Sequence, residues 1–308
     1  GITLTGEFLD VPPNSAIETV NACAEQAKSS GAQGLIAIGG GSAIDTAKAA
    51  NILISEGGDL VEDYSGIHTL TRPLNPLVVI PTTAGTGSEV TMVSVIYDEK
   101  NKEKLAFSDK FLLPSLAVLD PEMTTSMPPG LTASTAMDAL THAIEAYVGT
   151  GCSPVSDIFA AGAVEFIFKN ILQATENGED LEARGSLLVA ANLAGTAFSH
   201  SMVGCVHGMA HATGALYHVP HGIANAILLT HGMEYNFDEI KEKLTKLAPF
   251  MGIEISGLSV EDSAAKTIEA VRSLTVKLNA MGALPLRLRD VGVPEEGLPE
   301  LAEYAVND

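Results

Sequence analysis

A short apolar run at residues 34–38 flows without interruption into Gly39-Gly40-Gly41-Ser42, and from there into a helical pattern at 43–55. Few segments restrict a chain more. A strand that feeds a helix through glycines alone is built to receive a phosphate. Glycines let the backbone approach closely, while the N–H groups and dipole at the helix start favour negative charge. The turn is neither GxGxxG nor GxxxxGK[ST]. Nor is it a GxSxG elbow, which argues against a serine hydrolase.

Around this turn the first 120 or so residues alternate short strand patterns with helical ones. Residues 14–29 predict a helix with Asn14 or Ser15 as N-cap, closed by Gly31. Residues 34–38 read as a short buried strand, 77–80 and 92–97 as two more, and 116–119 as a strand ending at Asp120-Pro121. This alternation predicts a parallel α/β sheet. A second strand-to-loop element, Thr82-Thr83-Ala84-Gly85-Thr86-Gly87-Ser88-Glu89, offers hydroxyls and N–H groups at a strand end, where ligands of open α/β sheets bind. Two glycine-rich turns with no ligand are the plainer alternative. From about Pro128 the pattern becomes helical, at 132–147, 155–173, 181–199, 238–251 and 260–281, with no strand between. The expectation is a dinucleotide-binding α/β domain over 1–127 and an all-helical domain over 128–308, hinged at 124–130.

Bulk properties narrow the function. With 308 residues, 46% of them hydrophobic, the chain can bury a large core and exceeds what one core ordinarily holds. No stretch reaches the roughly 20 apolar residues of a membrane span, and the start, GITLTGEFLD, is unlike a signal peptide. Cys23, Cys152 and Cys205 form no CxxC pair, so neither a disulfide framework nor a thiolate zinc site is indicated, and a cytoplasmic location is expected. Seventeen basic residues against thirty-eight acidic give a net charge of −21, which makes nucleic acid and anionic membrane poor partners. An anionic coenzyme must then rely on backbone N–H groups and helix ends.

Six of the eight histidines fall between His200 and His231. Asp138 and His142 stand one helical turn apart on one face, and His207 and His211 repeat that spacing. His221 follows ten residues later in Val219-Pro220-His221-Gly222, where Pro and Gly suggest a break that re-aims the chain. One carboxylate with three neutral imidazoles would leave a net single positive charge on a divalent ion and room for a substrate oxygen. Hydrogen-bonded core histidines are the competing reading. His200, His218 and His231 are read as structural residues or as supports behind the ligands.

With these residues in view, the chain resembles the iron-dependent, group III alcohol dehydrogenases from Gly31 onward. The most specific matches are GGGSAIDTAK (39–48), PTTAGTGSEVT (81–91), DALTHAIEAY (138–147) and HGMAHATGALYHVPHG (207–222). The resemblance implies a Rossmann-like N-terminal domain, an all-helical C-terminal domain and an active site between them. It implies Asp138, His142, His207 and His221 as ligands of Fe²⁺, with Zn²⁺ the alternative. His211 then matches a residue that contacts coenzyme or substrate. Gly40, Gly41 and Ser42 match the pyrophosphate loop, Asp45 is a further coenzyme-binding candidate, and Thr82, Thr83, Thr86 and Lys104 match residues that line the ribose and nicotinamide of NAD or NADP. The family also carries a further strand–helix unit ahead of residue 14 and a later final helix. The chain is therefore expected to be truncated at both ends, which leaves NAD versus NADP open.

The implied reaction is reversible hydride transfer between a small alcohol and an aldehyde or ketone, with the metal as Lewis acid, in a homo-oligomer. Three rivals remain at this level. A dehydroquinate-synthase-like lyase would grip its anionic substrate with several bases, yet between Leu131 and Ile240 only Lys169 and Arg184 are found. Glycerol-dehydrogenase-like zinc chemistry differs only in metal. A truncated metal-binding remnant would not turn over.

Overall fold

The computed structural model describes residues 1–308 except Lys102 and Asp308. They divide into two compact units, one of Gly1–Thr83 with Ser88–Met123, the other of Ala84–Gly87 with the chain from Thr124 onward.

The first unit contains α1 (Ile17–Ser29), β1 (Leu35–Gly39), α2 (Gly41–Ser55), α3 (Leu60–Tyr64), β2 (Gly66–Ile67), β3 (Leu77–Pro81), β4 (Val93–Asp98), β5 (Glu103–Ser108) and β6 (Leu116–Ala117). Strands β1, β3 and β6 form a parallel sheet in that order, with Leu35 opposite Leu77 and Val78 opposite Leu116. Here the glycines act as their chemistry dictates. Gly39 closes β1, Gly40 caps α2 in extended conformation, and Gly41 is already helical.

Three expectations need correction. The strand at 34–38 is buried on one face only: Ala37 packs with Ile44 of α2, while Ile36 and Ile38 are each 55% exposed. A two-residue period leaves only alternate side chains to meet the covering helix. Secondly, the N-cap of α1 is Ala16, with no side-chain bond, rather than Asn14 or Ser15. Tertiary pairing prevails over the local cap, because Ser15 C=O accepts from Tyr97 N–H and Asn14 N–H donates to Ser42 Oγ. Thirdly, β4 is not part of the parallel sheet. It forms an antiparallel hairpin with β5, in a second sheet ordered β2-β5-β4. The Asp98 carboxylate holds the chain after β4 by accepting N–H groups of Lys100 and Asn101.

The second unit is helical: α4 (Pro129–Val148), α5 (Pro154–Glu176), α6 (Leu181–Ser201), α7 (Cys205–Tyr217), α8 (His221–Tyr235), α9 (Phe237–Leu247), α10 (Val260–Ala280) and α11 (Leu298–Val306). Helix α4 is buried on nearly all sides from Thr132 to Tyr147, the mark of a central helix. The start of α4 is clamped by Arg184, which donates to Met127 O, Thr132 Oγ1 and Gly178 O. That base is thus spent on backbone and hydroxyl oxygens. The pattern expected to run over 238–251 stops as α-helix at Leu247, since Pro249 lacks the N–H to continue it, and ends as a 3-10 turn.

Candidate metal centre

Helix α4 presents Asp138, His142 and Glu145 at i, i+4 and i+7, all buried. A left-handed His218 (φ 56°) ends α7, Pro220 caps α8, and His221 is the first residue of α8. The break signalled by Pro and Gly therefore returns His221 toward α4. Its approach is close: a Cβ on Gly222 would meet the carbonyl of Ser134.

These elements bring the expected ligands together. Ligand atoms of Asp138, His142 and His207 lie within 4.8 Å of one another. His207 Nε2 is 3.9 Å and His142 Nδ1 4.0 Å from the Asp138 carboxylate. His221 Nε2 lies 3.4 Å from Asp138 Oδ1. The His142 ring is stacked between Phe198 (4.4 Å between centroids) and His207 (4.3 Å), which fixes its plane. His211 stacks on His221 at 5.3 Å, beside the cluster.

The electrostatics suit a cation. Burial drives the His142 imidazole down to about 4 and that of His221 to about 3, so both are neutral at neutral pH. Burial works against ionisation of Asp138, but the three imidazoles and the Asn225 amide outweigh it and hold the carboxyl below its usual range. His142 Nδ1 is buried with no hydrogen-bond partner among the described residues. Asn225 Nδ2 lies 2.7 Å from Asp138 Oδ1, 3.2 Å from His221 Nε2 and 3.3 Å from His207 Nε2. An amide NH₂ has two protons, so it cannot serve three acceptors at once. Lone pairs converge here beyond what the protein can satisfy, and a carboxylate with imidazoles fits a divalent ion.

Two contributors escaped the sequence reading. Asn225 stands one turn after His221, a spacing that could have found it. Glu145 stands three residues after His142, and its partners Gly204, Val206 and His207 lie some 60 positions along the chain.

The first unit carries the coenzyme candidates other than Thr86. Thr82 N–H donates to Gly39 O, and a Cβ on Gly40 would sit 3.2 Å from Thr83 Oγ1. Ser42 Oγ accepts from Asn14 N–H. Asp45 is partly buried, and its carboxylate accepts from Ser88 Oγ (2.6 Å) and Val95 N–H (3.1 Å). Burial raises its carboxyl, against the nearby charges of Lys48 and Lys104. Lys104 lies on β5 opposite Tyr97. Thr86 falls in the Ala84–Gly87 segment, which packs against α6: a Cβ on Gly87 would lie 2.6 Å from Gly195 Cα.

A parallel α/β unit with a glycine-rich strand-to-helix turn, followed by a helical unit with a carboxylate–imidazole cluster, suits a metal-dependent enzyme that takes a nucleotide coenzyme. Comparison with known proteins makes the assignment specific. Residues 1–121 match the family model for iron-containing alcohol dehydrogenase, and 132–308 match the C-terminal model of the same family. The chain belongs to the iron-containing alcohol dehydrogenase family. It is 43% identical to 1,3-propanediol dehydrogenase of Klebsiella pneumoniae over 274 residues, covering 89% of this chain and 70% of that one. Identity to the NAD-dependent methanol dehydrogenase of Bacillus methanolicus is 38% over 301 residues, 98% of this chain and 78% of the relative. The crystal structure of 1,3-propanediol oxidoreductase superposes with a TM-score of 0.93 at 41% identity, covering 97% and 77% of the two chains. The chain is thus an oxidoreductase acting on an alcohol hydroxyl, not a lyase.

Proposed function

We propose that this chain interconverts small primary alcohols or diols and their aldehydes with NAD, holding one divalent ion through Asp138, His142, His207 and His221. The observation that carries this is the convergence of those side chains, with Asp138, His142 and His207 buried, His221 partly exposed beside them, and His142 Nδ1 without a protein partner among the described residues. Relatives named for 1,3-propanediol and, with NAD, for methanol support the substrate class and the coenzyme. When bound, the ion supplies Lewis acidity toward an alcohol oxygen, and the nicotinamide supplies the hydride acceptor. Fe²⁺ is the ion the family points to, with Zn²⁺ the alternative, since imidazole suits both.

The chain's own residues do the rest. The buried carboxylate of Asp138 supplies the anionic ligand, and the neutral rings of His142 and His221 keep their lone pairs for the ion. His211, stacked on His221, relays a proton from its ring nitrogen or orients coenzyme. At the start of α2 the N–H groups of Gly40, Gly41 and Ser42 receive the pyrophosphate. Thr82, Thr83, Thr86 and Lys104 line the remainder of the coenzyme site, with Asp45 supporting it from behind Ser88. The enzyme works in the cytoplasm as a homo-oligomer. Its three cysteines, all free, suit a reducing compartment.

The test is metal analysis of anaerobically purified protein, with NAD⁺ reduction measured across small primary alcohols and diols. His207→Ala and His221→Ala should each lose the metal while the α/β unit stays folded. Full metal occupancy in either variant would refute the ligand set. Gly41→Val should abolish NADH binding and spare the metal, because its side chain fills the space the pyrophosphate needs. NADH titration as tight as the parent's would remove Gly39–Ser42 from the site.

A further inference from the structure

Helix α7 begins without a cap of its own. Its N-cap residue is Gly204, which has no side chain to accept the first N–H groups, and the turn behind it carries His207. The missing acceptor comes from another helix. Glu145 of α4, buried with 5% of its surface exposed, accepts Val206 N–H through Oε1 at 2.7 Å and Gly204 N–H through Oε2 at 2.9 Å. The same Oε2 lies 2.5 Å from His207 Nδ1. Gly204 is required for this approach, since a Cβ there would stand 2.8 Å from Glu145 Oε1.

We infer that Glu145 is a positioning residue for the metal centre: its carboxylate fixes the tautomer and aim of His207, presenting the Nε2 lone pair to the cluster. The inference rests on the metal reading above. A carboxylate only accepts, so the shared atom pair requires the proton on Nδ1 and leaves Nε2 bare. Nε2 is the nitrogen that lies 3.9 Å from Asp138 Oδ1, on the cluster side of the ring. One buried helix, α4, thus supplies Asp138, His142 and the group that orients a third ligand across the helix interface. Outer carboxylates that hold a ligating histidine in this way tune metal affinity by about 10- to 100-fold.

Glu145→Gln is the test, because it keeps the shape. An amide offers one acceptor oxygen and one NH₂, so it must fail either the α7 amides or the Nδ1–H. Cobalt(II) titration of chelator-stripped protein should show affinity at least 10-fold weaker in Glu145→Gln. In parallel, ¹⁵N spectra of the histidine side chains in metal-free protein should show His207 locked with its proton on Nδ1, and the lock lost in the variant. Thermal melting of the metal-free proteins shows whether the variant folds. Should it not fold, the ¹⁵N spectrum of the parent decides alone. Unchanged cobalt affinity in a folded Glu145→Gln, or a parent His207 protonated on Nε2, would overturn the role of Glu145 and leave the metal centre standing. A parent that bound no cobalt would overturn the metal centre, and this inference with it.

Discussion

Lys48 sits inside one of the segments most diagnostic of the family, yet its task is to hold helix to strand. Its side chain is fully buried, and Nζ donates to Thr91 O (2.7 Å), Thr91 Oγ1 (3.2 Å) and Val93 O (2.9 Å). Burial outweighs the nearby carboxylates of Asp45 and Glu89 and brings the amine down to about 8. The sign follows. With a folded value of about 8 against 10.5 for the free side chain, the folded state binds fewer protons between those limits. The contribution of Lys48 to stability therefore rises with pH across that window, and below it the fold bears the cost of a buried charge. Lys48→Met leaves two carbonyls unpaired and should destabilise by about 2–4 kcal/mol at pH 7. Urea unfolding of parent and variant at pH 7, 8 and 10 should show the gap widening with pH. A gap that closed would mean the amine is not what ties α2 to β4. Residue type was legible here, while the role was not, because Thr91 and Val93 are more than 40 positions away.

At the scale of elements, what could be read locally was read. Helical periodicity gave α4, α5, α6 and α10 to within three residues at each end, and the turn at Gly39–Ser42 lies between strand and helix as its glycines require. The hairpin of β4 and β5 was not legible, since 103–108 carries charges that mask a strand with one exposed face. Glu145 shares the face of Asp138 and His142, but only the packing of α7 gives it partners. The contact of α4 with α8 has a testable pivot. Gly222→Ala would thrust a methyl into the Ser134 carbonyl and toward Asp138 Cβ, which lies 3.5 Å from the added atom. Backbone cannot yield there cheaply, so the start of α8 must move and carry His221 with it. Divalent-metal affinity should fall at least about tenfold, as for loss of a ligand's support, with a stability loss of about 1–3 kcal/mol from overpacking. Calorimetric titration with Zn²⁺ checks this, and parent-like affinity would show that α8 adjusts without shifting His221.

For the molecule as a whole, two surface properties oppose each other. A charge of −21 keeps copies apart, while the β1-β3-β6 sheet turns Ile36, Ile38 and Leu116, each 55% exposed, away from its core. Parallel sheets are ordinarily covered on both faces, and an open apolar face invites association. Sedimentation at physiological salt, where long-range repulsion is screened, should give a species larger than the 32.0 kDa chain. Ile36→Lys with Ile38→Lys should shift it toward monomer without loss of metal. An unshifted distribution would move the proposed oligomer interface elsewhere. Composition foretold the charge; which side of β1 lies open depends on where α2 packs, and no sequence period states that.

The separation of the proposed ligands along the chain also bears on when the protein can be loaded in a growing cell. Asp138 and His142 leave the ribosome together, but His207 follows 65 residues later and His221 later still. At about 5–20 residues per second, a nascent chain spends several seconds offering one carboxylate and one imidazole, too few donors to compete with the cell's own chelators. Helix α7 must then close on α4 before a third donor arrives. Capture of a divalent ion by the proposed ligands is thereby expected only once His221 has been made, and a translation product halted before Cys205 should retain none.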